Sequence, residues 1–255
     1  MKRPTRRDLR VLWDFSRPHT IIGSTLAVGT FYLVASHETG VTDPLLFFIT
    51  YGAALAVNLF IVGLNQLTDV DIDTINKPDL PLPSGRLTPS RAAQIVAVSG
   101  VLALGLALAG GRYLFGTIGT VSVVGALYSL PPARLKRFPA AAALSIVLSR
   151  GVIGNFGLWL TFAVGLGGAP YVPGHLVAFV GFMVGFMTVI SLLKDVPDIE
   201  GDRVAEIRTF SVRFGPERIL GVSVALLAVF YCGMIALGAF GAGGLEPQTT
   251  IVVHG

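Results

Sequence analysis

Charge is what this 255-residue chain has least of: Asp, Glu, Lys and Arg together make up 13% of it, while 53% is hydrophobic. A soluble domain carries roughly 25% charged residues. The shortage excludes an ordinary water-facing surface and points to a bilayer as the surrounding solvent. Cysteine is almost missing as well. Cys232 stands alone inside an apolar run, so no disulfide framework can form. No cleavable secretory signal is expected, because the first long apolar stretch starts only after Pro18 and lacks a signal-like end. Nothing in the chain points to a nucleic-acid partner. Glycine, by contrast, is abundant at 31 residues, which suits helices packed closely in lipid.

A spanning helix needs roughly 20 mainly apolar residues. Stretches of that kind lie near 19–36, 44–66, 91–109, 112–130, 139–161, 171–193 and 219–240. They are too long and too continuously apolar for the alternating strands of a barrel. The expected fold is therefore all-α, a polytopic transmembrane helical bundle of about seven spans, with residues 1–18 as a basic segment and 19–255 as the membrane domain. The basic residues set its orientation. All but Arg112 and Arg150 of the 19 Lys and Arg residues fall in the N-terminal segment or in the loops after the second, fourth and sixth stretches. The positive-inside rule places that side, N-terminus included, in the cytoplasm. The chain's last residues, Ile251 to Gly255, read as the start of a further apolar segment, and a truncated C-terminus is expected.

The scarce acids are not scattered. Asn65, Asp69 and Asp73 are spaced by four, which gives one polar stripe if the second helix continues through them. Asp71 falls on the other side. Four helices later, Lys194-Asp195-Val-Pro-Asp198-Ile-Glu-Gly-Asp202-Arg203 repeats the pattern, with Asp195, Asp198 and Asp202 three and four apart and Glu200 pointing elsewhere. The two motifs form a short internal repeat, and two similar four-helix halves facing each other would bring the acids together. Like charges at this spacing repel and call for a cation. Hard oxygen donors select Mg²⁺ or Ca²⁺, and Mg²⁺ completes its shell with water and substrate phosphates. A single acidic loop is commonly just a solvated surface; two stripes at helix ends on one membrane side argue for a site.

Lys77, Lys136, Lys194 and Arg203 share that side and would neutralise charge growing on a diphosphate leaving group. Arg86, Arg134 and Arg213 read better as topology determinants. Tyr128, at the end of the fourth stretch, reads equally as an interfacial anchor or as an aryl group beside a phosphate or carbocation. Arg150 lies near the middle of the fifth stretch, where a charge is costly unless it faces a polar cavity. It is expected either to bind an acidic acceptor or to make a structural pair with another helix.

Asn65-Gln-x-x-Asp69-x-x-x-Asp73 with Asn76-Lys77-Pro78, and Lys194-Asp195-x-x-Asp198-x-x-x-Asp202, resemble the two signature motifs of the UbiA superfamily of intramembrane prenyltransferases. Phe15-Ser-Arg-Pro-His-Thr-Ile-Ile-Gly23 and Tyr128-Ser-Leu-Pro-Pro-Ala-Arg-Leu-Lys-Arg137 resemble its homogentisate branch. The resemblance covers most of the chain. It implies nine helices around a central cavity, and Mg²⁺ ions bridging a prenyl diphosphate to Asn65, Asp69 and Asp73 on one side and to Asp198 and Asp202 on the other, with Asp195 assisting. It implies that Lys77, Tyr128, Lys136 and Lys194 contact the diphosphate region and that Arg17 and His19 border it. The implied reaction is ionisation to an allylic carbocation, attack by an electron-rich ring, and loss of the acetate carboxyl of homogentisate as CO₂, with Arg150 facing that carboxylate. The product class would be a prenylquinone or tocopherol-type precursor. The seven stretches counted here fall short of nine.

Other readings stay open at this point. The acceptor could be hydroxybenzoate, dihydroxynaphthoate, a chlorophyllide or a glycerol phosphate derivative. A cation transporter would use Asp-lined sites, although transport favours ionisable groups at mid-membrane and these acids sit at helix ends. An inactive scaffold or gene fragment is the third reading.

Overall fold

The computed structural model describes residues 6–204, 207 and 209–241; the C-terminal segment around Ile251 lies outside them. Eleven helices occur among the described residues: α1 Arg6–Phe15, α2 Pro18–Thr39, α3 Pro44–Thr68, α4 Val70–Asn76, α5 Pro89–Ala109, α6 Arg112–Ser129, α7 Pro139–Gly165, α8 Gly174–Leu193, α9 Ile199–Val204, α10 Phe210–Phe214 and α11 Pro216–Ala239. Proline opens α2, α3, α5, α7 and α11, where its missing N–H costs nothing and its fixed φ suits the first turn. Asp43 and Thr88 cap α3 and α5 by accepting from Leu46 N and Arg91 N, which satisfies donors that lipid could not. Gly40 ends α2 in the left-handed conformation, φ 67°, with its N–H on Ser36 O, as a helix C-terminus requires.

Among the described residues, six helices (α2, α3, α5, α7, α8 and α11) are long and apolar enough to cross a membrane. The fourth stretch anticipated from the sequence, α6, is a helix of 18 residues, but Arg112, two tyrosines and several glycines, serines and threonines leave it less apolar than the rest. The chain is a multi-pass integral membrane protein, and its exposed surface is what such a protein needs: Leu26, Leu33, Val101, Leu108 and Val229 are each more than half accessible.

The chain divides into two compact units. One comprises residues 1–134 and 157–169; the other comprises 135–156 and 170–255. In the first unit α3 packs on α2, α5 and α6 through small side chains. Ala53, Ala56, Val57, Ala103, Ala107, Leu114 and Ile118 form one buried cluster. At Gly63 an added Cβ would lie 2.6 Å from Val96 Cγ2, so glycine sets the closeness of α3 and α5. Val11 and Phe15 of α1 join Leu82, Leu87, Ala92 and Val96 in a second cluster. In the second unit α8 packs on α7 and α11. At Gly185 a Cβ would fall 2.2 Å from the Phe230 ring, and Phe182 meets Tyr231 edge-on at 5.0 Å.

Helix α7 is not uniformly α-helical: Val147–Ile153 makes a π turn. Such turns release backbone carbonyls and are frequent at functional positions. Here the buried Asn155 side chain donates to Arg150 O at 3.0 Å and Gly151 O at 2.8 Å, which satisfies the carbonyls the wider turn displaces.

Candidate active site

Each unit carries one acidic motif, and the two motifs share a plan. In the first unit the long apolar helix α3 stops at Thr68. Asp69 leaves the helical region at φ −120°, ψ 18°, and α4 starts at Val70. The helix therefore does not run unbroken through Asn65, Asp69 and Asp73, as the one-stripe reading required. The Asp73 N–H still bonds Asp69 O at 2.7 Å, so the four-residue spacing survives the break. Asp73 is buried and Asp71 is exposed, which separates the candidate from its neighbour as the spacing implied.

Cations surround these acids. Arg17 Nη2 lies 4.0 Å from Asp73 Oδ2, and Lys77 Nζ lies 4.0 Å from Asp73 Oδ1. Arg134 Nη2 donates to Asp69 Oδ1 at 3.3 Å and to Thr68 O at 3.1 Å, so one guanidinium holds a carboxylate and closes the carbonyl end of α3. Ser129 Oγ donates to Asn65 Oδ1 at 3.5 Å, tying the end of α6 to the motif. Tyr128 is half-buried beside it, and His19 is exposed on the first turn of α2. The reading of Arg134 as a topology determinant missed its seat on Asp69; the sequence places them 65 positions apart with no pattern linking them. Arg86, grouped with it, pairs with Asp14 at 2.6 Å and secures the loop before α5 to α1.

In the second unit α8 ends at Leu193. Residues 194–198 form turns, and α9 carries the last acid. Asp198 N–H bonds Asp195 O at 3.2 Å, and Asp202 N–H bonds Asp198 O at 3.0 Å. Lys194 Nζ donates to Asp195 Oδ1 at 2.5 Å. Asp202 is buried, and its carboxyl is pushed up to about 6, first by burial and then by the charges of Asp195 and Asp198, with Lys194 and a hydrogen bond from Thr209 opposing. The three carboxylates are thus close enough to repel. Thr209, which also caps α10 by accepting from Val212 N, carries no signal in the sequence. Glu200 and Arg203 are exposed. Lys136 is buried in the turn Leu135–Arg137, and Arg150 lies in the π turn of α7 with its side chain accessible.

The donor sets are oxygen throughout: Asp69, Asp73 and the Asn65 carbonyl in one unit, and Asp195, Asp198 and Asp202 in the other. Among the described residues, no three His, Cys, Asp or Glu side chains converge tightly enough to hold a metal alone. Oxygen donors of this kind fit Mg²⁺, which binds through one or two carboxylates and keeps water and phosphate in the rest of its shell.

The chain is 41% identical over 251 residues to a homogentisate phytyltransferase of Synechocystis, a match covering 96% of this chain and 82% of that one. It is 38% identical over 241 residues to homogentisate phytyltransferase 1 of Arabidopsis thaliana, covering 92% of this chain and 61% of the plant protein, so it spans about three-fifths of that relative. A solved UbiA homolog from Archaeoglobus fulgidus, bound to DMAPP and Mg²⁺, superposes with a TM-score of 0.68 at 20% identity, covering 95% of this chain and 85% of that one. A digeranylgeranylglyceryl phosphate synthase superposes at 0.65 and 21%. Both likenesses establish the fold. With the model of the UbiA prenyltransferase family matching residues 24–255, the chain belongs to that family.

Proposed function

We propose that this protein transfers a prenyl group from a prenyl diphosphate to homogentisate, with both acidic motifs serving one Mg²⁺-bound diphosphate. The observation that carries the reading is the repeated build of the two motifs: a long apolar helix, a break at an aspartate, and a short helix whose aspartate is buried and bonded back to the residue four before it. The named activities of the Synechocystis and Arabidopsis relatives support the acceptor, and the Archaeoglobus homolog bound to DMAPP and Mg²⁺ supports the donor class and the metal.

In this reading Asn65, Asp69 and Asp73, together with Asp198 and Asp202 assisted by Asp195, would hold the metal. Bound Mg²⁺ supplies charge stabilisation for the departing diphosphate. Lys77, Lys136, Lys194, Arg203, Arg17 and Arg134 present fixed positive charge to the same oxygens, which need no reorganisation as the C–O bond breaks. Tyr128 and His19 border the donor. The bonding pair leaves with the diphosphate, the ring carbon of the acceptor attacks the allylic cation and gives up its proton, and the acetate carboxyl leaves as CO₂, its bonding pair taking up a proton so that the side chain ends as a methyl group. Arg150, on the π turn of α7, binds the acceptor carboxylate. Basic-residue segregation orients the N-terminus and both acidic loops toward the cytoplasm.

The experiment is direct: membranes containing the protein, labelled prenyl diphosphate, Mg²⁺ and a panel of aromatic acceptors. Product is expected with homogentisate and not after chelation by EDTA. Full turnover in EDTA, or product only with another acceptor, overturns the reading.

A further inference from the structure

Within its apolar length α3 carries two amide side chains, Asn58 and Gln66, that are 5% and 1% exposed. Both reach out of their helix to the residues that flank the short connection between α1 and α2. Gln66 Nε2 donates to Phe15 O at 2.7 Å. Asn58 Nδ2 donates to Thr20 Oγ1 at 2.8 Å, and Thr20 Oγ1 donates to Arg17 O at 2.8 Å. The backbone N–H of Thr20 reaches the same carbonyl at 2.9 Å. Between these two anchorages stands Arg17 at φ 49°, ψ 79°, a left-handed conformation that a residue with a Cβ seldom adopts. Glycine would adopt it without strain but would bring no guanidinium to Asp73 Oδ2, 4.0 Å from Arg17 Nη2.

Two physical facts make this arrangement more than packing. An amide inside a membrane helix is unfavourable unless its groups are bonded. A backbone in a sparsely populated region persists only where its surroundings over-determine it. Here the buried amides supply that over-determination, one on each side of the strained residue.

We propose that Asn58 and Gln66, acting through Thr20 and Phe15, are positioning residues that hold the Phe15–Thr20 junction so that Arg17 is delivered to Asp73 and to the diphosphate end of the donor. This rests on the prenyl-transfer reading above. The competing role for such amides is adhesion between membrane helices, which predicts a loss of stability and nothing specific to the donor.

The test uses the full chain in detergent and compares Thr20→Val, which removes the hydroxyl at nearly constant shape, with Thr20→Ser, which keeps it, alongside Asn58→Leu and each change combined with Arg17→Ala. The readouts are KM for donor and for acceptor, kcat, thermal unfolding, and binding of inorganic pyrophosphate with Mg²⁺. Thr20→Val and Asn58→Leu are expected to raise donor KM and weaken pyrophosphate roughly tenfold, with acceptor KM unchanged and Thr20→Ser close to the unaltered protein. In the Arg17→Ala background they are expected to add nothing, because they act through the same group. Should Asn58→Leu not fold, Thr20→Val carries the test alone. Unchanged donor KM and pyrophosphate affinity with lowered unfolding temperature, or losses that add fully to Arg17→Ala, overturn the proposal. If the unaltered protein transfers no prenyl group yet binds pyrophosphate in a Thr20-dependent way, the proposed reaction falls and the positioning role stands; if pyrophosphate does not bind at all, both fall.

Discussion

In the first acidic loop, Asp73 lies 4.0 Å from both Arg17 and Lys77, and Asp69 lies 3.3 Å from Arg134. In the second, Lys194 is engaged with Asp195, while Asp202 is pushed up to about 6 by burial and by Asp195 and Asp198. The backbones follow one plan and the electrostatics diverge. In the first loop Arg17, Lys77 and Arg134 stand beside the acids. In the second, among the described residues, Lys194 meets Asp195 and the three carboxylates repel one another. A cation at the second loop would relieve that repulsion, and a polyanion at the first would meet donors already in place. The comparison teaches that a repeated motif fixes where carboxylates stand, while its neighbours decide whether they wait for a metal or share the task of gripping phosphate.

The largest expected effect tests whether the loops act together. Asp69→Ala and Asp198→Ala should each lower prenyl transfer by roughly a thousandfold or more, the scale of losing preorganised charge stabilisation, measured with labelled donor and homogentisate. Near-normal turnover in either one would break the pairing. Next in size is the split between donor and acceptor. Arg134→Ala should raise donor KM roughly tenfold, as expected for a charge-assisted hydrogen bond, with acceptor KM unchanged. Arg150→Ala should do the reverse; equal effects on both constants from either variant would blur the contrast. Smallest is the effect of pH on the second loop. Asp202 has its folded pKa raised above the ordinary 3.8, so its contribution to stability is complete below that value, fades as pH rises toward about 6, and is gone above it. Without Mg²⁺ the protein should lose on the order of 1 kcal/mol between pH 5 and pH 7, seen as a lower unfolding temperature. Mg²⁺ should offset the loss, and Asp202→Asn should flatten the profile. A metal-free profile that stays flat with Asp202 present would remove the asymmetry between the loops.

The membrane character, the helical class and the two acidic motifs were legible because each depends on local rules. Lipid demands long apolar helices whose backbone bonds close within the segment, and carboxylates at spacings of three and four announce themselves against a background with so little charge. Asp71 and Glu200 were set aside on spacing alone, and both are exposed. The break of α3 at Asp69 was not legible, since nothing between Asn65 and Asp73 is a helix breaker. There Arg134, from far along the chain, closes the carbonyl end of the helix.

By itself, the sequence determined that the chain lives in a bilayer and that its acids cluster at two helix ends, because solvent and periodicity act residue by residue. Only tertiary structure decided which cation meets which carboxylate, that Arg17 adopts a left-handed backbone held by amides 38 and 51 positions from their partners, and that Arg150 rides on a π turn closed by Asn155. Those outcomes depend on distances between groups remote in the chain, and such distances exist only once the helices have packed.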